Sequence, residues 1–109
     1  MAYDEGLAQR VREAFGAEPD VVEKKMFGGL AFLLGANMCV GVVGEELMVR
    51  VGPEAYEEAL RQAHAREMDF SGRPMKGMVY VAPAGLDSEA DLLRWIARGV
   101  RFARSLPAK

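Results

Sequence analysis

Cysteine and histidine occur once each among the 109 residues of the chain, and threonine is absent. The single cysteine, Cys39, cannot form a disulfide within the chain, and one cysteine with one histidine cannot build a metal cage. The sequence therefore predicts no bound metal and no cofactor. Isoleucine and asparagine also occur once each. The scarcity of asparagine and cysteine favours a thermophilic source, although the seven methionines favour it less.

Long apolar runs are missing as well. Glycine breaks the longest apolar stretches within a few residues, whereas a membrane-spanning helix needs about 20 apolar residues in a row. The first ten residues, MAYDEGLAQR, are acidic and lack the apolar core of a secretory signal. We therefore expect a cytoplasmic protein that makes no contact with a membrane.

An excess of positive charge is also missing. The formal net charge at pH 7 is -2, which argues against nucleic-acid binding driven by bulk charge. No tight stand-alone binding to nucleic acid is expected. Half of the residues are hydrophobic and 28% are charged, an ordinary globular composition, and a chain of 109 residues predicts a single domain over 1–109.

What the sequence does contain is a strong strand pattern over residues 22–51. Runs of β-branched and large apolar residues alternate there with short breaks that contain glycine, which is typical of an antiparallel meander. The predicted strands cover residues 22–34, 38–43 and 46–51.

Gly28 and Gly29 fall inside the first of these strands and allow two interpretations. A Gly-Gly pair is common as the two-residue turn of a hairpin. It also serves as a bulge or bend within one long strand. We prefer the bend, because a hairpin at this point would leave short strands without a polar break. We expect at least one of the two glycines to adopt a backbone conformation that suits glycine alone.

Helices flank this meander. Apolar residues at helical spacing predict three of them, and Asp87 or Ser88 is the expected cap of the last. The predicted helices cover residues 4–15, 53–62 and 87–106. Two further strands cover 67–70 and 77–82, on either side of a loop at 71–74. The predicted order is helix-β-β-β-helix-β-β-helix, an α+β fold with one antiparallel sheet of five strands.

His64, the only histidine, follows the end of the second predicted helix. Any histidine-based mechanism has to use it, yet no serine or cysteine shows the local signature of a nucleophile that would pair with it. A capping or surface histidine is the plainer interpretation, because a cation suits the end of a helix. The sequence therefore predicts no enzyme and no catalytic residues.

A first group of basic residues surrounds the glycine-bearing stretch at 71–77. Arg66, Arg73 and Lys76, together with His64, are candidates for a small anion site or a contact with a partner. A solvated basic loop is the alternative, and it is the commoner case.

A second group recurs on one face of the last predicted helix. Arg94, Arg98 and Arg101 follow at i, i+4 and i+7, opposite the apolar stripe. They are candidates for contact with an acidic partner or a nucleic acid. The alternative is a solvated face whose cations suit the C-terminal end of the helix.

Several stretches of the chain together resemble one known family. They are KMFGGLAF at 25–32, MCVG at 38–41, ELMVRV at 46–51, MDF at 68–70, GRPMKG at 72–77 and the Trp95 helix that ends in SLP at 105–107. With these motifs the whole chain resembles the N-terminal domain of the TfoX/Sxy competence regulators. The resemblance implies a small α+β domain like that of secretion chaperones and a regulatory role without catalysis. Full-length members carry a second, helical domain, so we expect a stand-alone N-terminal domain here.

We therefore expect a non-enzymatic regulatory or protein-interaction module, related to competence or transcription regulation, with a protein partner. The alternative is a small enzyme or a nucleic-acid accessory protein that uses the basic residues Arg66, Arg73 and Lys76. Strands 26–34 and 38–43 are apolar on both faces, and three helices with one apolar stripe each leave part of that surface bare. We expect a homodimer that buries part of the second sheet face or an adjoining strand edge. The alternative is a monomer whose helices are split across both faces of the sheet.

Overall fold

The fold is described from a computed structural model, which covers residues 3–16, 18–26, 28–70 and 73–107; the side chains at 69, 70 and 73–75 are not part of the description. In chain order the elements are α1 (Glu5–Phe15), β1 (Val21–Met26), β2 (Gly29–Leu34), β3 (Asn37–Val43), β4 (Glu46–Arg50), α2 (Tyr56–Leu60), β5 (Ala65–Phe70), β6 (Arg73–Val81), a 3-10 turn (Pro83–Gly85) and α3 (Glu89–Ser105). The strands form one antiparallel sheet in the order β1-β2-β3-β4-β6-β5. The α+β class and the single antiparallel sheet are confirmed.

Side-chain caps set the starts of α1 and α3. The Asp4 carboxylate accepts hydrogen bonds from the backbone N–H groups of Gly6 and Leu7, at 2.8 and 3.2 Å. The Ser88 hydroxyl accepts one from the N–H group of Asp91, at 3.0 Å. These bonds satisfy N–H groups that have no partner within their helix. Both predicted starts are confirmed, with Ser88 as the cap of α3.

The preference for one long first strand is wrong. β1 ends at Met26, β2 begins at Gly29, and these two residues face each other in the ladder, so a two-residue hairpin connects the strands. The hairpin was rejected because the sequence shows no polar break at the turn. The polar residues lie instead within β1 itself. Glu23, Lys24 and Lys25 are exposed there, at the edge of the sheet. The described sheet therefore has six strands rather than five.

The expected glycine conformation is confirmed at Gly28, whose φ is +73°. Residues with a side chain rarely adopt that region of backbone space. Gly29 is required for a different reason, because a Cβ atom there would overlap the carbonyl oxygen of Val42 on β3. One glycine thus serves the turn, and the other lets β2 approach β3.

The second helix and the last strand differ from their predicted bounds. α2 is a short helix, because residues 53–55 form a turn before it and 61–64 form another after it. β6 begins at Arg73 rather than at Gly77, so part of the predicted loop is strand, and Ser71 and Gly72 lie outside the described residues. Gly77 is a bend within the strand, with φ +95°, and its carbonyl oxygen accepts hydrogen bonds from residues 51 and 52.

The main core covers one face of the sheet, where strand side chains meet the three described helices. Its strand members are Leu30, Phe32, Leu34, Cys39, Val40, Val42, Leu47, Val49, Val79 and Val81. α3 lies closest to β3, since a Cβ atom at Gly99 would be 2.5 Å from the carbonyl oxygen of Cys39. Burial raises the pKa of the Cys39 thiol to about 12, so this thiol is an apolar part of the core.

The opposite face, which we call the helix-free face, has a second cluster whose described members are all strand residues. This methionine cluster consists of Met48, Met68, Met78 and Tyr80, with Met38 and Val43 packed against it. Its four core members are buried within a single chain, so the bare apolar surface that led us to expect a homodimer is not found at the centre of this face. In the described part of the chain, the exposed large hydrophobic residues are Val22 and Leu93. The homodimer stays a prediction. The exposure of Val22 places its expected interface at the edge of the sheet.

Candidate functional site

The structure separates His64 from the basic residues that follow it in sequence and brings it to α3. His64, Arg94 and Arg98 line a cleft of about 320 Å3 between the turn after α2, the 3-10 turn and the first half of α3. We call this the His64 cleft. Its lining consists of Gln62, Ala63, His64, Ala84, Gly85, Asp91, Arg94, Trp95 and Arg98.

The backbone of His64 has an unusual conformation. Its φ is +70°, in the left-handed region that residues with a side chain avoid. The N–H group of Ala82 donates a 2.9 Å hydrogen bond to the His64 carbonyl oxygen and so ties this turn to the end of β6. A Cβ atom at Gly85 would lie 2.9 Å from the Cβ of His64. The glycine therefore leaves the space in which His64 sits, with its side chain exposed at the cleft.

One face of α3 forms the other wall, where Asp91, Arg94, Trp95 and Arg98 follow at i, i+3, i+4 and i+7. Arg98 donates to both carboxylate oxygens of Glu58, at 2.6 and 3.3 Å, and lies 5.0 Å from the centre of the Trp95 ring. These hydrogen bonds lower the pKa of Glu58. Arg94 forms an ion pair with Asp91. Both arginines are thus paired with carboxylates that remain accessible to water.

A second cavity of about 500 Å3 follows the same helix toward its C-terminal end. The segment after β4 lines it together with Arg101 and Phe102 of α3, and Arg98 lines both cavities. Arg98, which is paired with Glu58, therefore lies between the two cavities. Of the basic face predicted on the last helix, Arg94 faces the His64 cleft, Arg101 faces the second cavity and Arg98 contributes to both.

The other predicted basic group, Arg66, Arg73 and Lys76, is not among the described residues that line the His64 cleft. Arg66 lies on β5 opposite Tyr80, whose ring centre is 4.7 Å from its guanidinium, and it donates to the carboxylate of Glu46 on β4. Lys76 is exposed farther along β6. The backbone of Arg73 begins β6 at the far end of the hairpin, and its side chain is outside the described set. Arg66 therefore belongs to the helix-free face, whereas His64 lines a cleft on the side of the helices.

The sequence patterns did not predict Trp95 and Asp91 as residues of the cleft or Glu58 as the partner of Arg98. The helical spacing of Asp91, Arg94, Trp95 and Arg98 was a usable signal for one wall. The opposite wall had no such signal, because the turn after α2 meets α3 only in the folded chain.

Two features are absent from the described residues. No group of three or more histidine, cysteine, aspartate and glutamate side chains is placed to hold a metal ion. No helix within the described ranges has the length and hydrophobicity needed to cross a membrane.

The element order and the open antiparallel sheet define a small α+β domain of the kind that the sequence motifs imply. The family described as the TfoX N-terminal domain matches residues 13–103, nearly the whole chain. The chain therefore belongs to the TfoX N-terminal domain family. No curated protein and no solved structure matches it in the other two comparisons. Membership of this family indicates a regulatory or interaction role.

Proposed function

We propose that this domain is a non-enzymatic protein-interaction module that acts in the cytoplasm as a homodimer, in the regulation of competence or transcription. Its family supports the regulatory role, and a free, buried thiol suits a reducing compartment. One observation carries the dimer. Val22 is a large apolar residue, 59% exposed, on β1, the outermost strand at one end of the sheet.

Val22 begins an apolar row on the helix-free face. It lies opposite Leu33 on β2, and Leu33 lies opposite Met38 on β3. Leu33 and Met38 are half-buried, and Met38 packs against the methionine cluster. The row therefore connects an exposed strand edge with a buried core, and a second copy placed along β1 would cover its exposed end.

β1 is also a free strand edge. In the described sheet it pairs with β2 alone, so the backbone groups on its outer side are open to another strand. An antiparallel copy with its two-fold axis at Lys24 sets Glu23 of each chain opposite Lys25 of the other and Val22 opposite Met26. The two Lys24 side chains meet near the axis, where their long stems let the charges point to water.

Light scattering on the purified chain at micromolar concentration tests the dimer. We expect a mass of twice 11.9 kDa. Val22→Lys places a charge in the apolar row and should return the mass to that of a single chain. The matched control is Leu93→Lys, which changes the other exposed large hydrophobic of the described chain, 44% exposed on α3, and should leave the dimer intact.

Circular dichroism shows that both variants are folded before their masses are compared. A wild-type mass that stays near 11.9 kDa on concentrating would refute the homodimer. Equal dissociation of both lysine variants would refute β1 as the interface.

A further inference from the structure

We propose that the His64 cleft binds a small phosphate monoester through Arg94, Arg98 and His64. This site lies on the side of the sheet that carries the helices and does not depend on the homodimer at β1.

Cationic side chains outnumber acidic ones in the lining of the cleft. Arg94 and Arg98 are joined there by His64, and Asp91 is the one carboxylate among the described residues of the lining. Guanidinium groups bind phosphate oxygens through paired, charge-assisted hydrogen bonds. The carboxylates that hold the two arginines, on Asp91 and Glu58, form solvent-exposed ion pairs of the kind that contribute little to stability. An incoming dianion can therefore replace them.

The directions of the donors favour phosphate over a carboxylate. Arg94 and Arg98 approach from α3, one helical turn apart, while His64 approaches from the turn after α2. A phosphate dianion is tetrahedral and accepts hydrogen bonds from several directions, whereas a carboxylate presents two oxygens in one plane. The cleft volume of about 320 Å3 is near the lower end of the range for small-molecule sites, roughly 300–1,000 Å3. That size suits the monoester of a small alcohol or sugar.

The backbone of His64 is an independent observation that points to the same place. A left-handed conformation at a residue with a side chain is strained, and such strain clusters at ligand sites. Here it holds an exposed imidazole at the cleft. No hydrogen bond or ion pair from the described residues engages that imidazole, so it is available to a ligand.

Trp95 provides a direct readout, because it is the only tryptophan of the chain and lines the cleft. The probe is glycerol 3-phosphate, with glycerol and sulfate titrated in parallel. We expect a saturable change in tryptophan emission with a Kd of about 1 mM or below, and no response to glycerol. No saturable change would overturn the proposal. An equal response to sulfate would mean an adventitious ion only and would overturn it as well.

Arg94→Gln is the main variant, because Arg94 is 72% exposed and its loss does not threaten the fold. We expect affinity for glycerol 3-phosphate to fall about tenfold or more, which corresponds to the loss of one charge-assisted hydrogen bond. The matched control is Arg101→Gln, which removes the same charge from the same helix but faces the second cavity. Equal weakening by both variants would mean general attraction to α3 and would overturn the site.

His64→Gly separates binding from structure. Glycine accepts the left-handed conformation, so the midpoint of thermal unfolding should rise while affinity for glycerol 3-phosphate falls. His64→Asn, which also tolerates this conformation, should lose the same affinity. Wild-type affinity in both variants would exclude His64 as a contact.

Two further titrations test whether the cleft binds nucleic acid instead and whether binding depends on the dimer. Tighter, salt-sensitive binding of a short DNA duplex through Arg94 and Arg98 would assign the cleft to nucleic acid and contradict a small monoester. The dimer variant Val22→Lys should bind glycerol 3-phosphate as the wild type does. This outcome keeps a failure of the proposed dimer distinct from a failure of the cleft.

Discussion

Each face of the sheet has a buried cluster at its centre, yet different side chains cover the two clusters. On the face that carries the helices, leucine, valine and phenylalanine side chains meet helical residues. On the helix-free face, methionine and tyrosine side chains cover one another. Leu47 and Met48 are neighbours on β4, point to opposite faces and are 0% and 1% exposed. β4 thus buries both of its sides although the described helices pack on one side alone.

Methionine suits the helix-free face because its side chain is long, unbranched and flexible. Met48 lies opposite Gly41 on the neighbouring strand, and its Cε atom would be 2.7 Å from a Cβ atom placed there. The side chain therefore extends along the sheet, over the space that Gly41 leaves. A β-branched residue is stiffer and projects from the strand, so it would need a covering layer at this position.

The largest expected effect is a loss of stability that differs between the two faces of the sheet. Leu47→Ala should lower the free energy of unfolding by about 3–5 kcal/mol, because the packed helices keep the cavity open. Met48→Ala should lower it by about 2–3 kcal/mol, since neighbouring methionines can move into the space. Denaturant unfolding of both variants measures the difference. Equal losses would mean that the two faces are packed with the same rigidity.

The next effect concerns the turns that decide which side chain points to which face. A slip of one residue in a hairpin would exchange the two faces. Gly28→Val should cost about 1–3 kcal/mol, because valine is strained at a positive φ. The control is Ala36→Gly in the turn between β2 and β3, where φ is +68° and glycine should raise stability by about 1 kcal/mol. An unchanged denaturation midpoint for Gly28→Val would contradict the strain argument.

The smallest expected effect concerns the packing of Met48 over Gly41 in the methionine cluster. Gly41→Ala should cost about 1 kcal/mol, because the new methyl group displaces the end of Met48 and presses on the carbonyl oxygen of Leu30, 3.1 Å away. In a Met48→Ala background most of that cost should disappear. A double-mutant cycle measures this coupling, which we expect at about 0.5–1 kcal/mol. Simple additivity would show that Met48 does not depend on Gly41.

Much of this fold follows from local sequence signals. Leu47 and Val49 alternate with Met48 in the sequence, a spacing that predicts opposite faces of a strand, and the two buried clusters confirm it. The caps Asp4 and Ser88 fix helix starts through contacts within three residues, so they too can be predicted from the sequence. These features need no knowledge of distant parts of the chain.

The remainder depends on contacts between distant residues. The hairpin at Gly28 was misjudged because β1 is a charged edge strand, and its position at the edge is a property of the whole sheet. The burial of Met68 and Met78 arises only when β6 pairs with β4 and carries β5 beyond it. The His64 cleft likewise joins a turn after α2 to a helix about thirty residues later, so its walls could not be paired from spacing alone.

The position of α3 in the chain has a consequence for synthesis. This helix packs on β3 and β4, and it is the last element of the described chain. The strands beneath it leave the ribosome first, with their apolar side toward water until residues 89–105 follow. During that interval the nascent sheet is prone to aggregation or to capture by a chaperone. The apolar side of the sheet at Cys39 and Val40 therefore stays uncovered until α3 has been synthesised and packs against it.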